Sequence, residues 1–166
     1  LIEAMAASGC IVLQFGLETP DLEVLKQHQK FFKVDQLKGT IALCHEAGIE
    51  SCGHFMLGFP GEDISKWDRI VDYAKFIGCD YFALNAAEVR LGTTLDSAPP
   101  ATELQRKTLY FDEELLRKGV ERLNRRFYLS PKFIWKQFTS VRSPSHLMHL
   151  THLGLQMLMP GKTRRQ

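Results

Sequence analysis

Three apolar runs of strand length, separated by helical periodicity, constrain this chain more than any other feature. They are "CIVLQF" at 10–15, "IESCGHFMLGF" at 49–59 and "DYFALNA" at 80–86. The connections are short and carry no hairpin signal, so the alternation β-α-β-α-β predicts a parallel sheet with helical crossovers. "CIVLQF" is nearly continuous in apolar residues, the pattern of a parallel strand covered on both faces. Ahead of it, Ile2, Met5 and Ala6 fall at helical spacing and Gly9 closes that helix. Behind it, Thr19 suits an N-cap and Pro20 the first helical position, with a helix through Leu22, Leu25 and Lys26. Residues 34–47 form a second helix with Leu37, Ile41 and Cys44 on one face, ended by Gly48. The second strand is interrupted by Gly53. In "PGED", Glu62 and Asp63 favour a helix N-terminus. Trp67, Ile70, Val71, Ala74 and Ile77 then form one apolar stripe, and Gly78 ends that helix.

Beyond Asn85 the pattern changes. "EVRLGTTLDSAPPATE" reads as loop, and from Thr102 the chain reads as helices over 102–127, 131–140 and 144–158. Charge divides the same way. Residues 1–100 hold 8 Lys+Arg against 14 Asp+Glu, and residues 101–166 hold 13 against 5. The expected organisation is therefore an α/β region at 1–100 and a basic helical extension at 101–166. Such an extension can meet an acidic partner, nucleic acid or solvent. It lacks aromatics interleaved in a groove pattern, which argues against nucleic acid. The four cysteines, Cys10, Cys44, Cys52 and Cys79, have no zinc-ligand spacing and apolar neighbours, so they read as buried free thiols in a reducing cytoplasm. No apolar run reaches the ~20 residues of a membrane span. Because "LIEAMAASG" opens on helical turns already under way, the chain is expected to be a piece of a longer protein.

In parallel α/β folds ligands bind at the carboxyl ends of the strands, here at "FGLE", "LGFPGE" and "ALNA". Strand alternation sets Val12, Gln14, Gly16 and Glu18 on one face and Ile11, Leu13, Phe15 and Leu17 on the other. Gln14 and Glu18 then look into a ligand cavity, or Glu18 is only a partner of the following helix dipole. Gly58 and Gly61 allow a tight turn or a close backbone approach to a ligand, and no Lys-Ser/Thr pair makes this a P-loop. Asn85 suits a ligand contact or a turn equally. His146, His149 and His152 drift around a helix too far to converge on a metal, and no metal site is expected. His54, within a strand, reads better as a satisfied core or pocket histidine than as a catalytic one.

Four stretches, in order, carry a family resemblance: "SGCIVLQFGLET" (8–19), "IALCHEAGIESCGHFMLGFPGED" (41–63), "CDYFALNAAEVRLGTTL" (79–95) and "RRFYLSPKFIWKQF" (125–138). Together they resemble the second half of a radical S-adenosylmethionine (SAM) domain, of the subgroup whose members often carry a cobalamin-binding domain upstream. The resemblance implies the C-terminal half of a (βα)6 partial TIM-like barrel with parallel strands, followed by an α-helical extension. It implies an enzyme that, when intact, reductively cleaves S-adenosylmethionine at a [4Fe–4S] cluster to give a 5′-deoxyadenosyl radical. A one-electron reductant such as flavodoxin or ferredoxin and a small-molecule substrate are implied with it, and cobalamin in members that carry its domain.

By resemblance, Glu18 falls on the position that contacts the ribose or methionine moiety, with Gln14 on the same face. Met56 and Gly58 fall on the adenine-packing segment, and Asn85, Leu91, Gly92 and Thr93 near the adenine-side loop. The family's CxxxCxxC loop is absent from this sequence, so the cluster ligands and any cobalamin domain would lie outside it. "LGTTL" replaces the family's "PGTPL", and Thr19-Pro20 its Ser-Gly. A truncated chain without a cluster, acting as a binding or interaction module, is the alternative. In that form the first strand would present an open apolar edge and favour self-association.

Overall fold

The computed structural model describes residues 1–27, 30, 33–60, 62–87 and 111–139. The chain divides into two compact units, Leu1–Leu123 and Asn124–Gln166.

The first unit is built on three parallel strands, β1 (Val12–Glu18), β2 (Glu50–Leu57) and β3 (Tyr81–Ala86), in the order β1-β2-β3. Helix α1 (Ile2–Ala7) precedes β1, and α2 (Leu22–Gln27) and α3 (Val34–Glu46) link β1 to β2. A 3-10 turn at Ile64–Lys66 and α4 (Asp68–Ile77) link β2 to β3. The alternation expected from the three apolar runs is thus the observed architecture.

β2 fixes the two faces of the sheet. Ser51, Gly53, Phe55 and Leu57 are buried, whereas Glu50, Cys52, His54 and Met56 are only partly so. Partners in a parallel ladder share a face. Leu13, Phe15, Phe82 and Leu84 therefore belong with the buried set, which faces the helices: the Phe55 ring meets Phe82 at 5.3 Å and Tyr73 of α4 at 6.3 Å. The stripe Trp67, Ile70, Val71, Ala74 and Ile77 is fully buried, as is the Leu37, Ile41, Cys44 face of α3. Gly78 ends α4 at φ 89°, a left-handed cap that only glycine adopts without strain.

Several local expectations are corrected. β1 is not covered on both faces: Gln14 and Gly16 are exposed, as is neighbouring Ile11. The cap of α2 is Asp21 rather than Thr19; Asp21 Oδ1 accepts the Glu23 amide at 3.0 Å, while buried Thr19 accepts the Asp21 amide. Gly53 does not interrupt β2. It continues the strand because a Cβ there would lie 2.8 Å from Cys79 Sγ and 2.9 Å from Phe55 Cε2. Of the four thiols, all free, only Cys44 is buried. The helix expected over 102–127 is α5 (Glu113–Tyr128), started by Asp112, whose carboxylate accepts the Leu115 amide. The expected boundary near residue 100, the loop 88–100, residues 101–110 and the helix at 144–158 lie outside the described residues.

The start of β2 is tied to the start of β3 by a polar clasp. Asp80 Oδ2 accepts the Ser51 amide at 2.7 Å and the Ser51 hydroxyl at 2.9 Å, and meets His45 Nε2 at 2.7 Å. The Asp80 amide donates back to the Ser51 carbonyl at 3.0 Å. Asp80 engages the same imidazole nitrogen that would have to receive a proton from Ser51. The Ser51 side chain is also fully buried, so the trio anchors strands rather than forming a nucleophile relay.

The first turns of α5 pack on this unit through Leu116 and Leu123, both buried. In the second unit, α6 (Pro131–Thr139) follows, and Phe127, Tyr128 and Phe133 form a ring cluster with centroids 4.9 to 5.9 Å apart. No helix among the described residues is long and apolar enough to cross a membrane.

Gly119 tests the packing of α5. A Gly→Ala change inside a helix ordinarily stabilises by ~1 kcal/mol. Here a Cβ would lie 2.6 Å from Trp67 Cζ3 and 3.3 Å from Leu57 Cδ1. Overpacking of this kind costs ~1–3 kcal/mol. Gly119→Ala is therefore expected to lower stability by about 1–2 kcal/mol in urea unfolding, against its helix propensity.

Candidate functional site

The face of the sheet turned away from Phe55 carries the candidate site. Across it the register aligns three rows: Gln14, Cys52 and Tyr81; then Gly16, His54 and Ala83; then Met56 and Asn85 toward the carboxyl ends. Near its lower edge the Tyr81 hydroxyl donates to Glu50 Oε2 at 3.0 Å. Gln14 and Asn85 are exposed and present amides able to donate and accept. Met56 is half-buried and packs against Val24, Phe59 and Ala87.

Glu18 reaches this face by an irregular route. The ladder shifts between Gly16 and Glu18, so Leu17 is an extra residue and Glu18 aligns with Phe55. Glu18 has φ 59°, the only non-glycine left-handed residue among those described. Such a backbone is strained for a side chain this long and is concentrated at functional sites. Its carboxylate pairs with Lys30, and the pair lies over Gly16: a Cβ on that glycine would meet Lys30 Nζ at 3.4 Å and Glu18 Oε1 at 3.5 Å. Simple alternation does not include this bulge, and by register Glu18 falls opposite Phe55, while its carboxylate comes to lie over Gly16. The alternative role, partner of the α2 dipole, is filled by Asp21.

Gly58 is placed differently. At φ 90° its amide donates to Glu62 Oε2 at 2.7 Å, and a Cβ would lie 2.8 Å from Leu116 Cδ2. The close approach that glycine permits is therefore to α5. Leu91, Gly92, Thr93 and Gly61 lie outside the described residues. His54 differs from expectation as well: its Nε2 is buried and, among the described residues, has no hydrogen-bond partner. Lys30 and the bulge had no sequence signal, since both depend on how the α2 connection returns to the strand end.

A separate groove of about 900 Å³ lies against α2 and α4, lined by Asp21, Glu23, Glu62, Asp63 and Tyr73 among others. None of Gln14, Glu18, Met56 or Asn85 lines it. Among the described residues no group of three His, Cys, Asp or Glu side chains could hold a metal ion.

The family model of the radical SAM superfamily matches residues 1–74. An uncharacterised methyltransferase of Pyrococcus horikoshii, PH0819, is 25% identical over 148 residues, 81% of this chain and 32% of that protein. An uncharacterised protein of Methanocaldococcus jannaschii, MJ0486, is 36% identical over 64 residues, 34% of this chain and 19% of that protein. The chain thus spans a third or less of either relative. Among solved structures, the radical SAM methyltransferase TsrM of Kitasatospora setae, with tryptophan and a SAM analogue bound, aligns with TM-score 0.48 and 21% identity. That alignment covers 54% of this chain and 18% of TsrM. The described fold is α/β, three parallel strands in one sheet with helices between them.

Glu62 offers a pH test of the turn beside the site. Burial pushes its carboxyl above the ordinary 4.5, nearby Asp21 adds to this, and the Gly58 amide opposes it without cancelling. A raised carboxyl favours the native state most when protonated. Its contribution is present below the ordinary value and is lost as pH rises through the folded value. Glu62→Gln keeps an acceptor for Gly58 and removes the titration. Wild-type stability, compared by urea unfolding at pH 4.5 and 7.5, is expected to fall relative to Glu62→Gln as pH rises.

Proposed function

We propose that the open face of the sheet binds S-adenosylmethionine, and that the longer protein represented by this chain is a radical SAM enzyme. The supporting observation is the gathering of Gln14, Glu18, Met56 and Asn85 on one face, toward the carboxyl ends of parallel strands, with all but Asn85 inside the family-matched segment. In this reading Glu18 accepts from a ribose hydroxyl or the methionine ammonium, with Lys30 holding the carboxylate in place. Gln14 and Asn85 read polar edges, and Met56 gives apolar contact to adenine. Gly58 shapes the turn behind Met56.

The residues of this chain do not fit the [4Fe–4S] cluster. Cys10, Cys44, Cys52 and Cys79 lack the CxxxCxxC spacing, and no three ligating groups converge among the described residues. Its ligands are assigned to segments beyond this sequence, together with any cobalamin domain. The reaction proposed for the intact enzyme is reductive cleavage of S-adenosylmethionine to a 5′-deoxyadenosyl radical, followed by hydrogen abstraction or methyl transfer. The methyltransferase name of the Pyrococcus relative favours methyl transfer. A cytoplasmic setting and a flavodoxin- or ferredoxin-type reductant belong to the same proposal.

Binding tests it directly. The 166-residue chain is expected to bind S-adenosylmethionine in ligand-observed NMR titration. Glu18→Ala is expected to weaken that binding about tenfold, the loss of ~1.4 kcal/mol expected for a charge-assisted hydrogen bond. Equal binding by wild type and Glu18→Ala would remove Glu18 from the site, and no binding at ~1 mM, about −4 kcal/mol, would sink the reading.

A further inference from the structure

His54 is the central residue of the open face. It lies on the middle strand, with Gly16 on one side of it and Ala83 on the other. These are the two smallest side chains on that face, so the imidazole has no bulky lateral neighbour. The Glu18–Lys30 pair covers Gly16. His54 Nε2 is buried and, among the described residues, makes no hydrogen bond. A polar atom held this way destabilises the native chain unless something else satisfies it. An apolar residue would avoid the loss at no cost to a strand. Glu18, one row away, is already strained toward the same surface.

We infer that His54 is a ligand-binding residue whose imidazole hydrogen-bonds a hydroxyl or carboxylate oxygen of the molecule on the open face. This rests on the proposed S-adenosylmethionine site, since that ligand carries both oxygens. The ring reaches the ligand by turning about χ2, a soft torsion, on the side of small Ala83. His54 acts by orienting the ligand, and no covalent step is assigned to it.

The test uses the 166-residue chain, S-adenosylmethionine as probe, and three variants: His54→Leu, His54→Gln and Glu18→Ala. Thermal unfolding and ligand affinity are measured on each. His54→Leu removes the unpartnered nitrogen, so its Tm is expected to equal or exceed that of wild type. Its affinity is expected to fall about tenfold, equal to ~1.4 kcal/mol. His54→Gln places an amide near the former Nε2 and is expected to recover part of that affinity. A lower Tm for both His54 variants would make the histidine structural and overturn the inference. So would unchanged affinity in His54→Leu while Glu18→Ala still weakens binding, a result that leaves the S-adenosylmethionine site standing. Absence of binding by wild type would overturn the site itself and His54 with it.

Discussion

The two-residue period of β2 is the constraint on which the rest of the structure depends. Among the described residues β2 is the only strand paired on both edges, so each of its residues is assigned to a face without ambiguity. Phe55 and Leu57 are wholly removed from solvent. Burial of such side chains contributes roughly 1.5–3 kcal/mol each. A slip of one residue would exchange them for His54 and Met56. The clasp around Asp80 fixes the same register from the other end, because it joins the Ser51 amide and hydroxyl to the residue just before β3. Apolar burial and a polar anchor therefore specify one alignment, and that alignment gathers Gln14, His54, Met56 and Asn85 on the remaining face.

β1 departs from this regularity where the chemistry begins. A continuous ladder would carry Glu18 past the end of the sheet in step with its neighbours. The extra residue, Leu17, is buried against the Gly53 position, and the left-handed turn at Glu18 restores its carboxylate to the open side. A strained residue of this kind costs roughly 1–3 kcal/mol. The Lys30 pair offsets only part of that, since Lys30 is 39% and Glu18 23% exposed and such pairs contribute ~0–1 kcal/mol. The strain makes better sense as a means of aiming a carboxylate than as a device for stability.

The strands, the α3 and α4 faces and the face of Gln14 were legible because they rest on periodicity, which a sequence displays directly. What escaped was set by contacts between distant segments. Thr19 and Asp21 are both good caps, and only the burial of Thr19 decides between them. Gly53 resembles a strand break until Cys79, Phe55 and Leu17 are seen to converge on it. Gly58 has the sequence look of a ligand-facing glycine, yet Leu116, more than fifty residues away, occupies its open side. His54 reads as a satisfied histidine from its apolar neighbours, and only three-dimensional packing shows its nitrogen without a partner.

The groove by α2 and α4 and the open face of the sheet are different places, and their physical characters differ. The groove by α2 and α4 is lined by five carboxylates, Asp21, Glu23, Glu62, Asp63 and Asp72, against two cations, Lys66 and Arg69, a balance that disfavours an anionic carboxylate or phosphate. The open face carries amides, an imidazole and a compensated ion pair, which suit a ligand of mixed charge. Three strands spaced ~4.8 Å apart make a surface only about 10 Å wide. A small-molecule site ordinarily buries some 70–90% of its ligand, so a face of that width alone grips S-adenosylmethionine along one side and binds it weakly. The residues here therefore form one wall of the proposed site.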